Sequence, residues 1–299
     1  MAAPRNGARA PLAVVAVGVL AVSWAAIFVR LADEAPALTI AAYRLLFAAG
    51  LLVLVAAGAK ALGHSALPPR QSWPLLALSG VLLAGHFWSW FASLERTSVG
   101  SSVVIVGMQP LLGALLAFLV LRERPARGEY AGVALALGGL VVIAAADLGR
   151  GSEAFAGDLL ALLAAFLVAG YQTVRRRTRH EVDALAYSAV VYTVAAIALW
   201  FAVLVVRPSL TGFGGEAWTF IILLALIPQV IGHTALNWAL GHLRVVTVGL
   251  AVLGEPLIAT LLAIPVLGET PPVGVLIGGP LVVAGVALGL RSTARAGAG

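Results

Sequence analysis

Val252-Leu-Gly-Glu-Pro-Leu-Ile-Ala-Thr-Leu-Leu-Ala-Ile-Pro-Val-Leu-Gly-Glu-Thr-Pro-Pro272 carries an acid, Glu255, inside a run too apolar for anything but a membrane interior. The same pattern occurs 146 residues earlier, as Val106-Gly-Met-Gln-Pro-Leu-Leu-Gly-Ala-Leu-Leu-Ala-Phe-Leu-Val-Leu-Arg-Glu-Arg-Pro-Ala126. Between Pro110 and Gly139, 13 of 30 positions are identical to their counterparts, without a gap. Shared apolar composition would produce some of these identities. It would not align Pro110 with Pro256, Glu123 with Glu269, Pro125 with Pro271, Gly128 with Gly274 and Gly132 with Gly278. The chain is a duplication, with one copy in residues 1–150 and the other in 151–299.

Composition supports a membrane protein. Only 11% of the 299 residues are charged, 61% are hydrophobic and the mean hydropathy is +1.03, whereas soluble domains carry about 25% charged residues. The absence of cysteine excludes disulfides, thiolate metal sites and thiol nucleophiles. A net charge of +6 would suggest nucleic acid in a soluble chain. Here the basic residues sit in short loops between apolar runs, so they report orientation and no nucleic-acid partner is expected.

Spanning a bilayer takes about 20 apolar residues. Ten such runs can be marked, at 12–30, 36–57, 73–93, 99–121, 128–147, 157–175, 184–206, 217–240, 245–267 and 272–290. The first is longer than the roughly 7–15-residue core of a signal peptide and is expected to stay as a helix. With the N-terminus in the cytoplasm, 14 Lys and Arg fall on that side and 4 on the other, with Arg44 alone inside a span. Both termini are therefore expected in the cytoplasm, with the chain in the inner membrane. Five helices per copy is an odd number, so the second copy enters from the opposite side. The expected fold is all-α, with ten transmembrane helices as two inverted five-helix repeats around a central cavity. Secondary transporters share this plan and place their substrate at the repeat interface near the midplane.

Ser23-Trp24, Tyr43-Arg44, Pro110…Glu123-Arg-Pro, Gly157-Asp158 and Glu255-Pro256…Gly268-Glu269, in this order, resemble the drug/metabolite transporter superfamily. The likeness is to its ten-helix members built from two EamA-type units. It covers nearly the whole chain. It implies that helices 1–4 and 6–9 surround the cavity, while the Gly-rich helices 5 and 10 pack peripherally. It further implies kinship with bacterial exporters of amino acids, including aromatic ones, and of other metabolites. Two departures narrow the reading. Helix nine has no Lys or Arg between Val245 and Leu267, which disfavours a phosphorylated solute, and helix one lacks the carboxylate of the small multidrug members.

Candidate site residues follow from polar groups inside spans. Glu255 could carry a proton, bind a substrate amine or pair with a buried cation; hydrogen bonding beside a Pro256 kink is the structural alternative. Its counterpart is neutral Gln109. Arg44 could bind a carboxylate or neutralise Glu255, or it could simply hold backbone carbonyls. Gln229, His233 and Asn237 form one helical stripe, and His86, Trp90 and Ser93 another. Gly85-His86 aligns with Gly232-His233, and Trp90 with Asn237. Two polar stripes at equivalent positions suit a cavity lined by both halves. Trp24, Tyr43 and Tyr171 offer aromatic faces for stacking or cation–π contact, or serve packing alone. Trp200, Trp218 and Phe213 read as interfacial or lipid-facing, and the Arg175–Arg179 cluster as a lipid-contacting topology signal.

Neither stripe has a metal ligand set and no loop cradles a phosphate, so no metal, cofactor or nucleotide hydrolysis is expected. The expectation is an alternating-access exporter of small metabolites, most of all amino acids, embedded in lipid and with no need of a second chain. An exporter of amphipathic drugs is the near alternative. A non-transporting scaffold or receptor is the distant one, and an enzyme lacks a nucleophile.

Overall fold

The structure, a computed structural model, describes residues 9–64, 67–97, 102, 105–123, 126–144, 151–268 and 273–296. Arg124, Pro125, Glu269, Pro271 and Pro272 of the duplicated motif lie outside these, as do Arg5 and Arg150 of the orientation count. Each of the ten apolar runs contains helix among the described residues: α1 (Ala10–Leu31), α2 (Ala37–Ala61), α3 (Trp73–Leu94), α4 (Gln109–Leu121), α5 (Arg127–Ala144), α6 (Gly151–Arg177), α7 (Ala184–Val206), α8 (Gly215–His242), α9 (Val245–Leu267) and α10 (Val273–Ala296). Among the described residues, α1, α2, α3, α6, α7, α8 and α9 are long and apolar enough to cross a membrane, and no strand occurs. Their outer faces expose Leu54, Phe201, Leu204 and Val205 at 69–72%. Large exposed apolar surfaces of this kind belong against lipid.

The halves are inverted. At the start of α2, Thr39 Oγ1 donates to the Ser209 carbonyl (2.8 Å) and the Tyr43 hydroxyl to that of Leu210 (3.3 Å), both just past the end of α7. Thus α2 and its counterpart α7 run antiparallel. Ser72, just before α3, donates to Glu181, just before α7, so α3 and α7 start at the same end. Packing follows the duplication: α1 lies on α8 as α6 lies on α3, while α2 meets α7, α4 meets α9 and α5 meets α10.

Helices α5 and α10 pack on each other, as their glycines allow. A Cβ on Gly285 would come within 2.5 Å of the Ala136 nitrogen and 2.6 Å of the Gly132 carbonyl oxygen, so only glycine permits this backbone approach.

The duplicated Pro motif breaks its helices at one level. In the first copy, the Met108 N–H donates to the Ile105 carbonyl (3.0 Å), and helix restarts at Gln109-Pro110. In the second, the Gly254 N–H donates to Ala251 (3.0 Å), and helix restarts at Glu255-Pro256. These two bonds are repeat counterparts, each 146 residues apart. Proline has no N–H to continue the ladder, so the carbonyls of Val106 and Val252 lose their helical donor. The bend expected at Pro256 is thus a full interruption. Helix α1 is also broken, at Ser23-Trp24, where the Ser23 hydroxyl caps the Val19 carbonyl (2.7 Å).

In α8, Ala225–His233 winds as a π-helix around Pro228. A π turn closes on i+5 and takes in one extra residue. This accounts for a local offset of 147 between His86 and His233, where the flanking helices keep 146.

Candidate functional site

The three interruptions converge on one cavity of about 70 Å³ between the halves. Val22 and Ala26 come from the break in α1; Val106, Gly107 and Gln109 from that in α4; Val252, Glu255 and Pro256 from that in α9. His86 and Trp90 of α3, Val168 and Gln172 of α6, and His233 and Leu236 of α8 close the wall, with Ala259 one turn beyond Glu255. The lining is paired across the duplication. Val22 faces the cavity with Val168, Ala26 with Gln172, Val106 with Val252 and Gln109 with Glu255, all at an offset of 146, and His86 with His233 at 147.

The polar inventory is small and specific. His86 is 4% exposed and its Nδ1 donates to the Ala164 carbonyl (3.0 Å), which fixes the tautomer and leaves Nε2 as the second polar atom of the ring. Its ring stacks on Trp90, centroids 5.9 Å apart. The buried Nε1 of Trp90 and Oε1 of Gln172 have no protein partner, so both can serve a guest molecule. Gln172 Nε2 donates to Gln109 Oε1 at 3.4 Å, a bond between repeats. Glu255 is the first residue of the second half of α9.

His86, Trp90, Gln109, His233 and Glu255 are thus brought together. The other singled-out residues do not line this cavity. Asn237 is fully buried and takes the Tyr171 hydroxyl on Oδ1 (2.6 Å) while donating to Ser188 (3.1 Å). Gln229 accepts from Arg44 Nε (2.9 Å). The stripe of Gln229, His233 and Asn237 assumed 3.6 residues per turn. The π turn rotates Gln229 off that face, whereas Asn237, one regular α-turn beyond His233, is engaged by Tyr171 and Ser188, and its neighbour Leu236 lines the cavity.

Arg44 is fully buried, with its guanidinium 4.1 Å over the Phe87 ring, and that ring meets His233 edge-on at 5.3 Å. Gln229 and Phe87 hold it, and although Glu255 makes no direct ion pair with it, the two opposite charges interact across the bundle. Tyr43 packs with Phe47, Trp200 and Trp218 near the α2–α7 end, and Trp24 stacks on Phe28 (5.5 Å). Trp200 and Trp218 therefore turn inward on Tyr43 instead of facing lipid.

The basic cluster after α6 also needs correction. Arg175 is 2% exposed, donates to the carbonyls of Asn237 (2.8 Å) and Val182 (3.0 Å), and lies over the Tyr187 ring (4.8 Å). Arg176 pairs with Glu123 at 2.8 Å, joining the ends of α6 and α4. These two arginines brace the fold. Gln172 lines the wall although the sequence singles out only its neighbour Tyr171. Its spacing of four from Val168, and its place opposite Ala26 in the duplication, would have found it.

Similarity to known proteins agrees with this architecture. The EamA-like transporter family matches residues 9–145 and again 155–291. A probable terminal-alkyne amino-acid exporter of Streptantibioticus cattleyicolor is 28% identical over 235 residues, 76% of this chain and 76% of that one. An uncharacterized transporter of Archaeoglobus fulgidus is 26% identical over 269 residues, 88% of this chain and 91% of its own. A solved crystal structure superposes with a TM-score of 0.81 at 22% identity, over 96% of this chain and 99% of the other, and shows the fold alone. Two family matches, each spanning one copy of the duplication, make this chain a member of the EamA-like transporter family of multi-pass membrane proteins.

Proposed function

We propose that the chain is a secondary transporter that exports small zwitterionic or amphipathic metabolites, amino acids foremost, through the cytoplasmic membrane by alternating access. The observation that carries this reading is the paired lining of the cavity. A wall built from counterpart residues of two inverted halves can open to either face by exchanging the halves' conformations. The wall is mostly apolar, with Glu255, two histidines, two amides and the Trp90 ring as its polar and stacking groups. Glu255 suits an ammonium group, the amides and histidines a carboxylate, and Trp90 an apolar or aromatic side chain. The name of the Streptantibioticus relative favours the same solute class. Substrate contact is assigned to His86, Trp90, Gln109, Gln172, His233 and Glu255. Arg44, Gln229, Asn237, Tyr171, Tyr43 and Trp24 serve the packing around them.

At about 70 Å³ the cavity takes a few waters, whereas sites for drug-sized ligands run to about 300–1,000 Å³. Binding therefore widens it, and the broken helices α1, α4 and α9 are the elements that yield. The arginine and lysine distribution supports cytoplasmic termini, and the pairing of both repeats in one chain supports a monomer.

Counterflow in proteoliposomes tests the reading, with labelled amino acids, sugars and cationic drugs, each with and without a pH gradient. Amino acids are expected to exchange intact, and Glu255→Gln and His233→Ala to weaken that exchange. Exchange of cationic drugs but no amino acid, chemical conversion of the solute, or normal flux in both variants would each overturn it.

A further inference from the structure

A second cavity, of about 430 Å³, opens on the outer surface where α2 and α7 diverge. Its origin is local. Ala56 and Ala57 of α2 and Ala186 and Ala189 of α7 line it, and these small side chains leave a slot with buried Ala186 and Ala189 in its wall and the exposed Val53 and Ile197 at its far end. The neighbouring α3–α7 contact is tight, since a Cβ on Gly80 would meet Val194 at 2.5 Å. That contact fixes α7 against α3.

The slot has direction. Its deep end is apolar, while Lys60, Pro68 and the exposed Trp73 stand at its mouth, the level at which α2 ends and α3 begins. Along α2 it runs from Val53 to Lys60, about 10 Å at 1.5 Å per residue, and along α7 from Ala186 to Ile197, about 16 Å. One leaflet of a hydrocarbon core is about 15 Å deep. Trp and Lys mark the headgroup level of a bilayer. The two acids nearest the mouth are occupied: Glu181 accepts from the Ser72 hydroxyl, and Asp183 caps α7 by accepting the Ala186 N–H (2.8 Å). Arg70, exposed beside the mouth, adds to the positive charge of Lys60.

We propose that this groove holds an acyl chain of an anionic phospholipid, with the lipid phosphate met by Lys60. The order along the slot, cation and indole at the mouth and hydrocarbon within, is the order along a phospholipid. Since α2 and α7 are counterparts in opposite repeats, a lipid seated here contacts both halves. The assignment stands independently of which solute the central cavity takes.

Native mass spectrometry of the full-length protein in detergent, titrated with phosphatidylglycerol or phosphatidylcholine of identical chains, tests it. The intact protein is expected to prefer phosphatidylglycerol by about fivefold, the effect of one interfacial lysine. Lys60→Gln should bring the preference close to unity while leaving phosphatidylcholine binding unchanged. Ala57→Phe fills the slot from its exposed wall, away from the buried core, and should lower the binding of both lipids. No preference in the intact protein, a preference that survives Lys60→Gln, or full binding to the Ala57→Phe protein would overturn the assignment.

Discussion

Placing alanine at two glycines of the α5–α10 pair should move stability in opposite directions. At Gly285 a Cβ would lie 2.5 Å from the Ala136 nitrogen, 2.6 Å from the Gly132 oxygen and 2.8 Å from the Ala136 Cβ, against an ordinary contact of at least 3.4 Å. The atoms met are mainly backbone, so relief requires the helices to part by about 0.9 Å, the difference between 3.4 and 2.5 Å. A gap of that size forfeits a quarter to a half of each van der Waals contact along the seam. Overpacking of this kind costs roughly 1–3 kcal/mol. At Gly138 a Cβ meets nothing within 4 Å, and the position is exposed mid-helix. Gly138→Ala should therefore stabilise by about 0.5–1 kcal/mol, through lower backbone entropy in the unfolded chain. Apparent Tm in a fixed detergent checks both: Gly285→Ala falls and Gly138→Ala holds or rises. Shifts of equal sign and size would refute the idea that this helix pair is held by backbone approach at particular glycines.

Gln172→Leu removes a polar wall group together with its long bond to Gln109, and should lower apparent Tm slightly while raising the concentration of solute needed for half-maximal exchange. Tyr171→Phe deletes the bond to Asn237 and should cost about 1–2 kcal/mol, the price of an unsatisfied buried amide, with exchange per folded molecule unchanged. The Arg176–Glu123 pair, at 11% and 18% side-chain exposure, should give a coupling of about 0.5–1 kcal/mol in a double-mutant cycle of Arg176→Gln and Glu123→Gln, shrinking in high salt. Pro256→Ala gives residue 256 an N–H for the Val252 carbonyl and should mend the break in α9, slowing exchange more than it weakens binding.

The duplication carried most of the fold, because proline and glycine act through the backbone and leave the same mark in both copies. Pro110 and Pro256 locate the breaks, and Gly132 and Gly278 lie in the helices that pack face to face. Inversion followed from counting helices. Side-chain destinations were less legible. Gln229 looked like a wall residue because the stripe rested on an unbroken α-helix, and the π turn around Pro228 is a tertiary accommodation that no periodicity announces; Asn237 keeps its α-helical spacing from His233 but is engaged by Tyr171 and Ser188, partners from other helices. Arg175 and Arg176 sat in a run of basic residues, yet their partners, Asn237, Val182 and Glu123, come from distant segments. Gln172 was hidden for a simpler reason: a single amide next to a tyrosine draws less notice than the ring.

The cavity's geometry is paired while its chemistry is not. Pro110 and Pro256 impose the same break, so Val106 stands across from Val252 and the wall has the same shape from either side. The paired lining side chains have diverged: Gln109 is an amide where Glu255 is an acid, and Ala26 is a methyl where Gln172 is an amide. Backbone symmetry is what an alternating opening requires, since each half must be able to adopt the other's conformation. Recognition imposes the reverse demand, because a zwitterion with one ammonium and one carboxylate has no two-fold axis and binds best to a wall with a polar side and an apolar side. On the proposed reading, the two demands are met at different levels of the same sequence, proline and glycine keeping the copies alike and the residues lining the cavity setting them apart.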